Sequence, residues 1–299
     1  MATIYPKTYY NDSIINTEDA NLSVASSAIL YGLSVYTVFH VTVSEGKYYA
    51  FRLKDHYRRL QNSSRIIGID TFAVEWSFKK FQKIMNELLV ANASKKDVFV
   101  RVSFHIDALL PGTRSRGLPA VLSAFVYDAE PIVPQDGARL KTSVWRRTPD
   151  YSIPSRAKVN GAYVNSVLAR QDAIDSGYDD CIFLDNLGHV AELSAANIFL
   201  VRDGVLLTPG ANIDILEGIN RRTVLELAEK LDIPTAERSI DLTELYIADE
   251  VFVCGTSAFL TPVIAIDNRT ISTGSITNKL RKAYQDALLK PSSPYVTKL

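Results

Sequence analysis

Lys158-Val-Asn-Gly161-Ala-Tyr163-Val-Asn165, followed a helix's length later by Ala191-Glu192-Leu-Ser-Ala-Ala-Asn197, decides how this chain reads. A lysine just ahead of a helix and a lone glutamate inside an apolar strand are both out of place. One chemistry accounts for the two together. A lysine amine can hold an aldehyde cofactor as a Schiff base, and a carboxylate can keep the pyridine nitrogen of that cofactor protonated. Pyridoxal 5'-phosphate needs these partners at opposite ends of its ring. The plain alternatives are a surface lysine and a strand-edge glutamate, so the matter turns on a phosphate cradle and a substrate pocket.

Around this pair the chain reads as mixed α and β structure. Periodicity and stop signals predict a helix over 164–176, ended by Gly177, and short strands over 181–184, 190–193, 197–201 and 205–207. A helix over 220–231 buries Val224, Leu227, Ala228 and Leu231; a strand over 250–254 and a last helix over 276–289 follow, the latter repeating Ile276, Leu280, Tyr284 and Leu288 at steps of four. Ahead of the lysine, 36–42 and 47–52 form a hairpin around Ser44-Glu-Gly46. Helices over 54–64 and 74–92 and strands over 98–105 and 119–127 come next, the second helix aligning Phe78, Phe81, Met85 and Leu88. The stretch Asp128-Ala-Glu-Pro-Ile-Val-Pro-Gln-Asp-Gly137 has two prolines, a glycine and few bulky groups, and reads as a linker. It divides a small domain, 1–127, from a larger one, 138–299.

Three places offer phosphate chemistry. Gly218-Ile219-Asn220 opens a helix, where free N–H groups and the helix dipole attract anions; an ordinary loop glycine with Asn220 as N-cap is the plain alternative. Gly255-Thr256-Ser257 ends a strand with hydroxyls and N–H groups, and Arg58-Arg59 lies on a helix. Each signal is weak alone; their order in the chain carries the weight.

Composition narrows the classes. With 33 basic and 33 acidic residues, nothing points to nucleic acid or an anionic membrane as partner. No apolar run approaches the roughly 20 residues of a membrane span, and the first residues lack the pattern of a signal peptide. Cys181 and Cys254 sit in apolar runs and read as buried free thiols, which fits a reducing cytoplasm. None of the four histidines stands at a ligand spacing from a second histidine or a cysteine, so no metal site is expected.

These motifs resemble the class IV (fold type IV) pyridoxal-phosphate aminotransferases, most nearly the branched-chain amino acid aminotransferases. The likeness runs from about Leu30 to Pro262. It rests on Tyr31-Gly-Leu-Ser-Val-Tyr36, Phe51-Arg-Leu-Lys-Asp-His56-Tyr-Arg-Arg59-Leu60, the lysine segment, Glu192 to Asn197, Gly218-Ile-Asn-Arg221 and Gly255-Thr256-Ser-Ala-Phe-Leu-Thr-Pro262. The resemblance implies two α/β domains with the cofactor in the cleft between them, and a homodimer in which each pocket draws on the neighbouring subunit. It implies Lys158 as the Schiff-base lysine, Tyr163 as partner of the cofactor's phenolate oxygen and Glu192 on the pyridine nitrogen. Arg59, the backbone of Ile219 and Asn220, and Thr256 become the phosphate cradle.

For the substrate, strand alternation groups Tyr36, Val38 and His40 on one face and Phe99, Arg101 and Ser103 on another. In relatives the matching faces look onto the substrate, so Tyr31, Tyr36, Val38, Phe99, Arg101, Thr256 and Ser257 are the pocket candidates. Core packing is the plain alternative for Val38 and Phe99. Arg101 stands alone in an apolar run, where a buried arginine needs an anion. The chain also departs from the family pattern. Tyr36-Thr37-Val38 replaces a usual Phe-Glu-Gly, Phe99 a usual tyrosine, Leu193-Ser-Ala-Ala196 a usual Gly-Ser/Thr-Gly-Glu, and Phe259 a usual glutamate. Arg114 and Arg116 lie in a loop whose counterpart reaches the substrate in some relatives; a solvated basic turn is the plain alternative.

The expectation is a transaminase moving the amino group of a hydrophobic L-amino acid, such as leucine, isoleucine or valine, to 2-oxoglutarate. A transaminase of the same fold acting on (R)-amines or D-amino acids is the alternative that Val38 and the arginine loop favour. A lyase similar to the aminodeoxychorismate lyases ranks below both, and the intact Lys158, Tyr163 and Glu192 argue against a non-catalytic binding protein.

Overall fold

The computed structural model describes residues 2–299. Two compact units divide the chain. The first comprises Met1–Glu130, Ala157–Gly161 and Ala287–Leu299; the second comprises Pro131–Arg156 and Ala162–Asp286.

The first unit opens with β1 (Ile4–Tyr10), β2 (Ser13–Asn16), the short α1 (Ser27–Tyr31), β3 (Ser34–Ser44) and β4 (Lys47–Phe51). It continues through α2 (Leu53–Ile66), α3 (Phe72–Glu75), α4 (Phe78–Ala91), β5 (Val98–Ile106) and β6 (Ala120–Asp128). The expected hairpin is β3–β4, turned at Glu45 and Gly46, both in the left-handed region. The single helix expected over 74–92 is instead two. Ser77 accepts a hydrogen bond from Lys80 N and starts α4 afresh, a local capping signal that an apolar count passes over. Phe81, Met85 and Leu88 are buried as their spacing requires.

The second unit holds β7 (Ala138–Arg146), α5 (Tyr163–Asp175), β8 (Asp180–Leu184), β9 (Val190–Leu193), β10 (Asn197–Arg202), β11 (Val205–Pro209) and α6 (Ile219–Lys230). After these come β12 (Thr235–Arg238), α7 (Leu242–Tyr246), β13 (Glu250–Gly255), β14 (Phe259–Ile266), β15 (Arg269–Thr270) and α8 (Ser275–Leu289), whose last residues from Ala287 onward belong to the first unit. The nine-stranded sheet runs β12-β11-β10-β13-β14-β7-β8-β9, with β15 on β14. Its core is aliphatic, built on Leu140, Ile182, Ile198, Leu200, Val251 and Val253. Val224, Leu227 and Ala228 of α6 are buried as expected, but Leu231 is 42% exposed: it lies one residue past the helix, off the packed stripe.

The chain then returns to the first unit as β16 (Val296–Lys298), which pairs with β4 and completes a seven-stranded sheet of order β16-β4-β3-β5-β6-β1-β2. Sequence patterning gave no sign of this return. Nor did it place 157–161, the lysine segment, with the first unit. Backbone pairing explains that placement. β4 pairs only with Val41–Ser44 of β3, so the opening of β3 lacks a neighbour on that edge. The lysine segment supplies it: Tyr36 N donates to Lys158 O at 2.9 Å, Asn160 N to Ser34 O at 2.8 Å, and Val159 bridges Val35.

Candidate active site

In the first unit, the lysine segment is fixed by its backbone. Besides the β3 contacts, Lys158 N donates to Ser63 Oγ of α2 at 3.0 Å. Gly161 passes so close to Gly32 that a Cβ on Gly32 would stand 2.9 Å from Gly161 Cα. Gly32 also ends α1 in the left-handed region, with φ +64°. The Lys158 side chain is directed at Tyr36, with Nζ 4.8 Å from the ring centroid. Arg101 Cζ lies 3.8 Å from the same centroid.

The register of β3 on β5 pairs Tyr36 with Ser103, Val38 with Arg101 and His40 with Phe99, so the two faces grouped from alternation are one surface. Arg101 donates through Nη2 to Asn160 Oδ1 at 2.5 Å, and Asn160 Nδ2 donates in turn to Ser34 Oγ at 2.6 Å. Among the described residues, the contacts of Arg101 are thus an amide and an aromatic ring, with no carboxylate in ion-pair range. Phe99 is wholly buried between His40 and Tyr127, and Val38 is buried too. Tyr31, at the end of α1, and the loop arginines Arg114 and Arg116 are exposed. On α2, Arg58 faces solvent, and Arg59 is the partly buried one. Arg59 Nη2 donates to Thr37 Oγ1 at 3.2 Å, and Thr37 Oγ1 lies 2.8 Å from His56 Nδ1.

In the second unit, Glu192 lies on the fully buried β9 and is 6% exposed. Arg147, one residue past β7, gives Nε to Glu192 Oε1 at 2.8 Å; Leu216 N donates to the same oxygen at 3.2 Å, and Asn197 Nδ2 to Oε2 at 3.1 Å. Arg147, Leu216 N and Asn197 are all donors, and the Glu192 oxygens accept from them. Tyr163 begins α5. The first turn of that helix is pinned through Asn165, which accepts from Thr148 N at 3.3 Å and donates to Arg146 O at 3.1 Å.

Gly218, not Asn220, is the N-cap of α6. A Cβ at that position would collide with Asn197 Oδ1, so glycine is required by space. The N–H groups of Ile219 and Asn220 therefore lie in the first turn, where an anion is favoured. Asn220 Nδ2 donates to Thr256 Oγ1 at 3.2 Å, and Tyr284 Oη donates to Asn220 Oδ1 at 2.7 Å. Thr256 and Ser257 are half-buried in the turn after β13. At the end of that strand a Cβ on Gly255 would meet Ala195 O at 3.0 Å. The small residues of Ser194-Ala-Ala196 are what let this turn approach so closely. Sequence reading quoted Thr37, Asn160, Asn197 and Tyr284 without giving them a role and passed over Arg147. Apart from Asn197, which reaches Glu192 five residues away, each acts on a residue distant in the chain, and no local spacing marks it.

The family profile described as amino-transferase class IV matches residues 34–266. The chain belongs to the class IV aminotransferases. It is 36% identical over 287 residues to a probable branched-chain-amino-acid aminotransferase of Aquifex aeolicus, covering 94% of this chain and 91% of that one. Among solved structures, the branched-chain aminotransferase of Thermoproteus uzoniensis with norvaline superposes with a TM-score of 0.94 at 35% identity, covering 98% of this chain and 99% of that one. The T.th. branched-chain amino acid aminotransferase complexed with N-(5'-phosphopyridoxyl)-L-glutamate gives a TM-score of 0.89 at 32% identity, covering 98% of each chain. The chain is therefore an aminotransferase of the class IV α/β fold that uses pyridoxal phosphate. Its residues suit that cofactor: a primary amine, an arginine, a carboxylate already dedicated to donors, and a glycine-capped helix start beside a hydroxyl.

Proposed function

We propose that this aminotransferase moves the amino group of a hydrophobic, branched-chain L-amino acid to 2-oxoglutarate. The observation that carries the reading is the shared ring of Tyr36. The amine of Lys158 and the guanidinium of Arg101, which has only neutral partners among the described residues, both lie against it. Such an arrangement suits a substrate carrying an amine and a carboxylate on neighbouring carbons. Buried Tyr36 and Val38 border Arg101 with apolar surface, which supports a hydrocarbon side chain. The named activities of the relatives support branched-chain substrates, and the glutamate adduct of the T.th. enzyme supports 2-oxoglutarate as acceptor.

Pyridoxal phosphate, when bound, supplies an aldehyde for the amino group and a ring that takes up the electron pair released when the substrate C–H bond breaks. The chain's own residues do the rest. Lys158 Nζ is the covalent tether and, once displaced, moves the proton taken from the substrate α-carbon. Glu192 accepts from the ring nitrogen and keeps its proton in place. Tyr163 donates to the phenolate oxygen. Arg59, the Ile219 and Asn220 N–H groups and Thr256 hold the phosphate, which fixes the ring while the amino group changes hands. Arg101 binds the substrate carboxylate, and Tyr31 and Ser257 offer further contacts to the substrate, whereas Phe99, wholly buried between His40 and Tyr127, is core rather than pocket.

Two coarser features belong to this reading. Exposed Val144, Val164 and Val167, all in the second unit, support a homodimer that covers them. The reduced, buried Cys181 and Cys254 support a cytoplasmic setting. A second reading, transfer from (R)-amines or D-amino acids, is favoured by Val38: it stands opposite Arg101 and adds bulk where the family usually has glycine.

The test is a half-reaction screen. L-leucine, D-alanine and (R)-1-phenylethylamine are each mixed with holoenzyme, and the cofactor spectrum is followed. L-leucine is expected to convert it fastest; faster conversion by either of the others would favour the second reading. In Arg101→Ala the Michaelis constant is expected to rise roughly tenfold or more for leucine, the loss of a charge-assisted contact, and far less for the carboxylate-free amine. An equal rise for both would remove Arg101 from carboxylate binding.

A further inference from the structure

Tyr284 is the feature that the proposed activity leaves unused. It lies on α8 in the buried stripe of Leu280 and Leu288 and is 1% exposed. A phenylalanine would suit that stripe as well by shape. The hydroxyl is the difference, and it is directed to Asn220 Oδ1 at 2.7 Å. Burial drives the phenol well above its ordinary range, in keeping with the donor role that the contact with Asn220 Oδ1 gives it.

The bond fixes the sense of the next one. With Oδ1 accepting from Tyr284, the Asn220 amide must present Nδ2 to Thr256, and it does so at 3.2 Å. Thr256 Oγ1 is then an acceptor on this side, and its own hydrogen is directed away from Asn220. In the reverse orientation Thr256 would give its hydrogen to Asn220 Oδ1 instead. Asn220 is also the second residue of α6, so the same contact anchors the turn whose N–H groups face an anion.

We propose that Tyr284 is a positioning residue for the cofactor phosphate: through Asn220 it orients the Thr256 hydroxyl as a phosphate donor and steadies the first turn of α6. This rests on the reading that Thr256 and the start of α6 hold the phosphate. It concerns one hydrogen-bond relay, from a buried phenol to an amide to a hydroxyl, none of whose members needs to change its burial.

The experiment compares pyridoxal phosphate with pyridoxal, which lacks the phosphate, as ligands of the apoenzyme, and records the phosphorus NMR resonance of the bound phosphorylated form. In Tyr284→Phe the dissociation constant for pyridoxal phosphate is expected to rise about tenfold, in line with the loss of one buried hydrogen bond and the reorientation it held. That for pyridoxal should stay within about twofold, and the phosphorus resonance should shift. Asn220→Ala, which keeps the backbone N–H, should reproduce both effects, and the double variant should add little to it. Equal weakening of both ligands, or an unmoved phosphorus resonance, would reduce Tyr284 to a packing residue and overturn the proposal. Thr256→Val separates the two levels. If it loses the preference for the phosphorylated ligand while Tyr284→Phe keeps it, only the relay fails. If Thr256→Val itself keeps the full preference, the phosphate reading fails and the relay with it.

Discussion

At the scale of single residues, the interior holds polar groups taken out of water and given specific partners. Arg147 and Glu192 show this most plainly. Their side chains are 12% and 8% exposed, and they meet at 2.8 Å. Removing one member of such a pair leaves the other buried without its charge partner. Arg147→Ala is expected to cost about 3–5 kcal/mol in the urea unfolding of the apoprotein; a loss below about 1 kcal/mol would mean that water replaces the guanidinium. His40 gives a second prediction. Burial pulls its imidazole down to about 4 from an ordinary 6.5, and Asp97, whose Oδ2 lies 3.5 Å away, is itself pushed up by burial and does not hold the ring charged. A folded state that binds a proton less readily than the unfolded chain is favoured above pH 6.5 and loses that advantage as pH falls towards 4. The contribution at stake is about 3 kcal/mol. Unfolding midpoints measured from about pH 7 to 4.5, a window set by that shift, should fall more steeply for the natural protein than for His40→Gln; parallel curves would show that His40 is not the group responsible.

At the scale of elements, short-range pattern and long-range pairing part company. Helix α2, strand β5 and the α6 stripe were legible because apolar spacing records which face is buried, and β9 stood out because Glu192 interrupts it. Lys158 and Gly218 were legible for the same local reason: a helix start follows each within a few residues. What pairing decides was not legible. β16 is three residues long and has meaning only beside β4, and the lysine segment joins β3 because a strand edge there lacks a partner. Arg147 and Tyr284 likewise act on residues 45 and 64 positions away. The contact of Gly32 with Gly161 is the element-scale device that holds the lysine segment down. Gly32→Ala places a Cβ 2.9 Å from Gly161 Cα and strains a φ of +64°. A stability loss of about 1–3 kcal/mol is expected, together with faster hydrogen exchange at Tyr36 and Asn160 N–H. Unchanged exchange at both would detach the glycine contact from the lysine segment.

At the scale of the whole molecule, the chain passes between its two units four times, and the residues proposed to serve the cofactor are divided between those units. Lys158 and Arg59 belong to the first unit; Tyr163, Glu192, Asn220 and Thr256 belong to the second. Each unit builds its own scaffold, an antiparallel sheet in one and a mixed sheet in the other; within the first the Lys158 backbone N–H donates to Ser63, and within the second Asn197 donates to the Glu192 carboxylate. Members of this family carry pyridoxal phosphate, and the amine proposed to bind it here is that of Lys158. Borohydride reduction of the holoprotein, followed by proteolysis and mass spectrometry, reads that directly. A phosphopyridoxyl group on the peptide containing Lys158, absent from Lys158→Ala, is the predicted result. The same group on another lysine of the natural protein, or its persistence in Lys158→Ala, would contradict the account.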